Sequence, residues 1–170
     1  GRLLLHLFRK ASPANCDFSD RICSALQLIN FWQDVRIDFE TKDRIYLPQD
    51  EMAAYGVSEA QIGAQRCDDA WRALMAFQIE RTRELMLGGA PLGAALPGRI
   101  GLEIRATVQG GLRILEKIEA VGYDVFRQRP ALQWYDWPLL MARALTKSGS
   151  DPMSKSGSEP NQEKSGSDPA

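Results

Sequence analysis

Histidine is almost missing from this sequence. A single residue, His6, in 170 leaves no Ser-His-Asp triad and no His-rich zinc site to consider. Any metal here would be held mainly by oxygen. Cysteine is scarce as well. Cys16, Cys23 and Cys67 form no C-x-x-C pair, and an odd number argues against a disulfide framework. Reduced thiols in a cytoplasmic protein are the expectation. An excess of charge of one sign is also lacking: 21 Lys and Arg stand against 22 Asp and Glu, for a net charge of −1. With no basic run, nucleic acid is not expected as a partner. Long apolar runs are absent too. The longest uncharged stretch, residues 85–98, is broken by Gly88, Gly89, Pro91, Gly93 and Pro97. A spanning helix needs roughly 20 mostly apolar residues, so no transmembrane segment is expected. The chain opens at Gly1 directly into R-L-L-L-H-L-F, with no charged n-region and cleavage site. It reads as starting inside a domain rather than with a signal peptide.

What remains is a helical chain. With 44% apolar and 25% charged residues, the composition fits one globular domain plus some loose sequence. The loose part is residues 147–170, where K-S-G-S-D-P, K-S-G-S-E-P and K-S-G-S-D-P begin at Lys147, Lys155 and Lys164. Such repeats bury too little apolar surface to offset chain entropy. A disordered tail is expected there, with a docking tail as the alternative. Residues 1–146 form the folded unit. Asp17 or Ser19 could cap a helix running to about Glu40. Gln49 to Gly56 and the segment after Ser58 read as short helices, the first stopped by Gly56. Asp68 to Leu87 is a long amphipathic candidate. Arg99 to Val121 is another, interrupted at Gly110-Gly111. Trp134 to Lys147 closes the set, with Pro138 tolerable in its first turn. No alternating strand pattern is found, so the fold class is all-α.

Chemistry is concentrated in Q-L-I-N-F-W-Q-D-V-R-I-D, residues 27–38. On one helix, Gln27, Asn30, Asp34 and Asp38 fall within an arc of roughly 80°. Leu28, Trp32, Val35 and Phe39 flank one side; Ile22, Leu26 and Ile29 flank the other. A polar ridge between apolar shoulders suggests a helix packed among others with its ridge lining a cavity. Two buried carboxylates are costly without partners. A divalent cation removes that cost, and oxygen ligands with an Asn amide suit Mg2+. The plainer reading is a solvent-facing stripe, since D-x-x-x-D arises often by chance. R-I-Y-L-P, directly after, favours the sharper one. Arg44 brings a guanidinium fork suited to phosphate and Tyr46 a hydroxyl donor. Such a set suits a departing diphosphate.

The run Q-L-I-N-F-W-Q-D-V-R-I-D-F-E-T-K-D-R-I-Y-L-P resembles the second aspartate-rich motif of the squalene/phytoene synthase family. The resemblance covers residues 1 to about 146 and implies the C-terminal part of an isoprenoid-synthase helical bundle. It implies that Asn30, Asp34 and Asp38 bind magnesium bridging a prenyl diphosphate, that Gln27 is a polar cavity residue, and that Arg44 and Tyr46 neighbour the diphosphate. The family's other aspartate-rich helix would lie upstream of Gly1, and the chain is expected to be a truncated portion.

Within the family, N-F-W-Q-D-V and L-E-I-R-A-T-V-Q-G-G-L-R-I-L-E-K-I are most similar to the hopanoid-pathway, HpnC-type branch. That branch ionises presqualene diphosphate and captures the rearranged cation with water as hydroxysqualene. Where phytoene synthases carry Tyr in Y-R-x-I-L, this chain has Gly111. The alternatives are condensation of two prenyl diphosphates to phytoene or squalene and, in another class, an inactive helical fragment or scaffold.

Other candidates draw plainer expectations. Glu103 and Arg105 read as a helix-surface ion pair, and Arg81, Arg83 and Glu84 as a solvated face. Met75, Phe77 and Ile79 read as core, and Cys23 as a structural thiol. Trp134, Tyr135 and Trp137 are expected to pack at the bundle's end. Their other reading is contact with a membrane surface, peripheral at the inner membrane.

Overall fold

The computed structural model describes residues 1–146, all helix and connecting turns. The expected tail of residues 147–170 lies outside the described residues. Among the described residues nine α-helices follow in order: α1 (Arg2–Leu7), α2 (Pro13–Gln33), α3 (Val35–Lys42), α4 (Gln49–Ala54), α5 (Glu59–Gly63), α6 (Asp69–Gly89), α7 (Leu92–Ala95), α8 (Gly98–Ala120) and α9 (Trp137–Leu145). A 3-10 turn, Trp134–Asp136, leads into α9. Among the described residues there is no strand, as the sequence suggests.

Local chemistry sets the helix starts. Ser12 caps α2 by accepting the Asn15 amide at 3.2 Å, with Pro13 in the first turn, where a missing N–H costs nothing. The true cap thus lies several residues before Asp17. Ser58 caps α5 and Asp68 caps α6 in the same way. Gly56, at φ 70°, ends the α4 turn in a conformation that side chains disfavour.

Three long helices, α2, α6 and α8, carry the core. Ile22, Ala25, Ile29 and Trp32 of α2 meet Trp71, Leu74, Met75, Ile79 and Met86 of α6. Val108, Leu112, Leu115 and Ile118 close the third side. Each such fully buried side chain contributes about 1.5–3 kcal/mol. The neighbours run antiparallel: the α6 end at Gly89 lies against Phe18 and Ile22, while Thr82 lies against Trp32. A Cβ on Gly89 would meet the Phe18 carbonyl oxygen at 2.7 Å, so only glycine admits this approach. Two indoles are satisfied within the core. Trp32 Nε1 donates to Thr82 Oγ1 at 2.9 Å, and Trp71 Nε1 donates to the Tyr123 carbonyl at 3.0 Å.

Several expectations are corrected. Gly110-Gly111 does not interrupt α8. A Cβ on Gly111 would lie 2.5 Å from Met86 Cε and 3.1 Å from Ile29 Cδ1, so the missing side chain lets α8 close on α2 and α6. Glu103 pairs with Arg99, not Arg105. Arg105 instead donates to the Ala144 and Gly93 carbonyls, tying α8 to α9 and α7. Arg81 and Arg83 are not free in solvent: they bind Glu51 and Glu119 on other elements. Met75 and Ile79 are buried, but Phe77 is exposed beside Tyr55. Trp134, Tyr135 and Trp137 are exposed as well, because Leu140 and Ala144 are the α9 residues that face inward.

Candidate functional site

The polar stripe is not one continuous ridge. Helix α2 ends at Gln33, Asp34 takes φ −104°, ψ 11°, and α3 restarts at Val35. The ideal helical register therefore fails at the first aspartate. Gln27 and Asn30 are exposed, Asp34 is half-buried, and Asp38 is 4% exposed. Among the described residues, the upper half of the stripe, Gln27 and Asn30, faces outward.

The lower half draws a cluster together. Lys42 Nζ, one turn on, donates to Asp38 Oδ1 at 2.6 Å. The Arg44 amide donates to the Asp38 carbonyl at 3.2 Å. This folds the chain back after Asp43, which takes the left-handed conformation at φ 51°. Asn and Asp tolerate that region better than most side chains. Tyr46 then stacks on Phe31, ring centres 4.0 Å apart and planes 6° from parallel. Its hydroxyl lies 3.5 Å from Arg44 Nη1. Tyr46 is thus returned beside α2, on Phe31, with Arg44 against its hydroxyl.

The residue that sequence reasoning missed is Arg129. Its Nε donates to Asp34 Oδ1 at 2.5 Å and its Nη2 to Asp34 Oδ2 at 3.2 Å. This two-toothed pair reaches across 95 residues from the loop after α8. No local spacing in the sequence signals it. Lys42 was also passed over, although its i,i+4 distance from Asp38 was a readable signal.

The charges read one another. The hydrogen bond to Asp38, followed by its charge, raises the Lys42 ammonium above its ordinary value, and Tyr46 and Asp34 add to this. The hydrogen bond to Asp34 raises Arg129 in the same sense, against burial. Asp34, Asp38, Lys42, Arg44, Tyr46 and Arg129 therefore form one electrostatic neighbourhood, with Asn30 at its edge. Gln27, nearly two turns before Asp34 on α2, stands outside it.

The donor chemistry can be tested against a cation. Among the described residues, no group of three or more acidic, histidine or cysteine side chains converges. The site offers two carboxylates and one amide, all hard oxygens. That is too few for a protein-only cage. It fits magnesium, which commonly takes one or two carboxylates and fills its shell with water and phosphate oxygen.

Known proteins give an independent comparison. The pattern of the squalene/phytoene synthase family matches residues 1–136. The chain is 36% identical over 126 residues to the phytoene synthase of Thermus thermophilus, covering 74% of this chain and 43% of that protein. It is 31% identical over 120 residues to the hydroxysqualene synthase of Rhodopseudomonas palustris, covering 70% and 41%. The crystal structure of squalene synthase HpnC from Alicyclobacillus acidocaldarius superposes with a TM-score of 0.69 at 31% identity, covering 72% of this chain and 46% of that one. The chain spans less than half the length of the curated relatives it matches.

Proposed function

Since the chain belongs to the squalene/phytoene synthase family, we propose that the α2–α3 junction, with Arg44, Tyr46 and Arg129, receives the diphosphate of a prenyl substrate. The observation that carries this reading is the Arg129–Asp34 pair. A cation brought from a distant loop onto an aspartate, beside Lys42 on Asp38 and the fork of Arg44, is costly to assemble by chance. It provides positive charge for an anion and carboxylates for its counter-ion at the same edge.

Asn30, Asp34 and Asp38 would hold Mg2+ here. Bound there, the ion would supply charge neutralisation to the departing diphosphate oxygens. The chain's own groups do the rest. Arg44 and Arg129 present planar N–H forks that match phosphate geometry, and Lys42 adds a point charge. Stacking on Phe31 steadies the Tyr46 hydroxyl as a further donor. Gln27 would offer a polar contact higher on α2. Asp34, Asp38, Lys42 and Arg129 each have a partner whether the site is empty or filled: carboxylate with cation before binding, and carboxylate with metal and cation with phosphate after it. Arg44 is exposed and needs none. No buried charge is orphaned in either state.

The finer chemistry we propose is conversion of presqualene diphosphate to hydroxysqualene. The carbon–oxygen bond to diphosphate breaks, the cyclopropylcarbinyl cation rearranges, and water adds, releasing inorganic diphosphate and a proton. Support comes from the HpnC and hydroxysqualene synthase likenesses and from Gly111. A tyrosine there, as in phytoene synthases, has no room without displacing Met86. Condensation of two prenyl diphosphates to phytoene is the second reading, favoured by the higher identity to phytoene synthases. Among the described residues no helix is long and apolar enough to cross a membrane. For an apolar product, we propose a cytoplasmic protein whose exposed Trp134, Tyr135 and Trp137 touch the membrane surface.

Oxygen-18 water decides the chemistry. The chain, complemented with the amino-terminal half of a family relative and given presqualene diphosphate and Mg2+, should yield hydroxysqualene carrying the label. Phytoene from two geranylgeranyl diphosphates, with no labelled alcohol, would replace this reading by the second.

A further inference from the structure

The loop that delivers Arg129 has no regular secondary structure between residues 128 and 133. Its position must therefore come from side chains. Besides the Arg129–Asp34 pair and Asp136 on the Gln133 amide, side chains hold two of its backbone carbonyls. Lys117 Nζ donates to the Ala131 carbonyl at 2.9 Å. The other is Gln33, whose side-chain amide donates to the Pro130 carbonyl. Gln33 is 4% exposed, the residue just before Asp34. Consecutive residues at the α2–α3 junction thus hold consecutive residues of the loop: Gln33, the last of α2, grips Pro130 while Asp34 grips Arg129.

Proline strengthens this arrangement. Pro130 has no N–H with which to anchor itself, and a residue before proline is disfavoured from helical backbone. The Pro130 carbonyl is the natural handle for fixing where Arg129 starts, and Gln33 holds it from a buried site. A long arginine side chain has many rotamers. Asp34 restrains those rotamers, and fixing the backbone origin removes loop freedom that would otherwise be lost on meeting an anion.

We infer that Gln33 is a positioning residue, which sets Arg129 over the α2–α3 junction by holding the Pro130 carbonyl. It touches neither Asp34's partner nor the substrate; its action is through the loop. The inference rests on the diphosphate reading above and adds to it a residue outside the polar stripe.

The test is titration of the 170-residue chain with inorganic diphosphate in Mg2+ buffer, followed by calorimetry. Gln33→Met keeps the side chain's size and removes the donor. Gln33→Leu, the second variant, also removes the donor and adds no charge beside Asp34. Loss of one such hydrogen bond should weaken diphosphate binding about tenfold, with the circular dichroism spectrum unchanged. In an Arg129→Ala background the same substitutions should have no further effect, because the residue they position is gone. Wild-type affinity in both Gln33 variants would overturn the inference while leaving the diphosphate site intact. Losses that add to that of Arg129→Ala would also overturn it, since they mark a general structural role. Absence of any Mg2+-diphosphate binding by the wild-type chain would overturn the site reading, and this inference with it.

Discussion

At the scale of residues, a few buried polar groups decide much of this structure. Thr82 is wholly buried and both accepts from Trp32 Nε1 and donates to the Gln78 carbonyl. Thr82→Val keeps the shape and leaves the indole N–H without a partner. It should lower unfolding free energy by about 1–3 kcal/mol in a urea titration. Asp136 gives a pH prediction. Burial pushes its carboxyl up, but hydrogen bonds from Lys117, the Gln133 amide and Arg113 outweigh this and hold it down at about 2. A folded-state value below the unfolded one stabilises at high pH. The contribution is complete above about pH 4 and is lost as pH falls toward the folded value. Urea midpoints measured across that window should fall more steeply for wild type than for Asp136→Asn. Residue identity singled out Asn30, Asp34, Asp38, Arg44 and Tyr46 as candidates, because their types and spacing carry recognisable chemistry. Arg129 was not legible: its partner lies 95 residues away, and only the folded loop joins them.

At the scale of elements, close approach of helices matters more than their intrinsic propensities. Gly89 lets the end of α6 rest on the Phe18 carbonyl, and Gly111 lets α8 rest on Ile29 and Met86. The two sites differ in what must yield. At Gly111 the nearest atom is the end of a flexible methionine; at Gly89 backbone stands in the way. Gly89→Ala should therefore cost about 1–3 kcal/mol, and Gly111→Ala less, as thermal melts of the two variants would show. Helix existence and most starts were readable from periodicity, capping residues and glycines, as with Asp68 before α6 and Gly56 after α4. The break at Asp34 was not, since D-V-R-I-D continues a helical pattern without Gly or Pro. The pairing of Asp34 with Arg129 and of Gln33 with Pro130 accompanies that break, and both are tertiary contacts. Glycines 110 and 111 misled in the opposite direction, because packing supplied what local propensity withheld.

At the scale of the whole molecule, a three-helix core presents a charged edge where α2 gives way to α3. The family assignment rests on residues 1–136, and the folded elements supply the reason for the motif's order. Aspartates come from the helix, Arg44 and Tyr46 from the turn after it, and Arg129 from the loop that follows α8. Exposure of Gln27 and Asn30 was unexpected for a cavity ridge, since periodicity tells which residues share a face but not what covers it. We propose that Asp34 and Asp38 serve departure of diphosphate. That role is tested most directly by the rate of inorganic diphosphate release from presqualene diphosphate. The chain is complemented by a relative's amino-terminal half, with Mg2+ and substrate saturating. Asp34→Asn and Asp38→Asn should each lower that rate at least about tenfold, through lost transition-state charge stabilisation. Release at the wild-type rate in both variants would contradict that role.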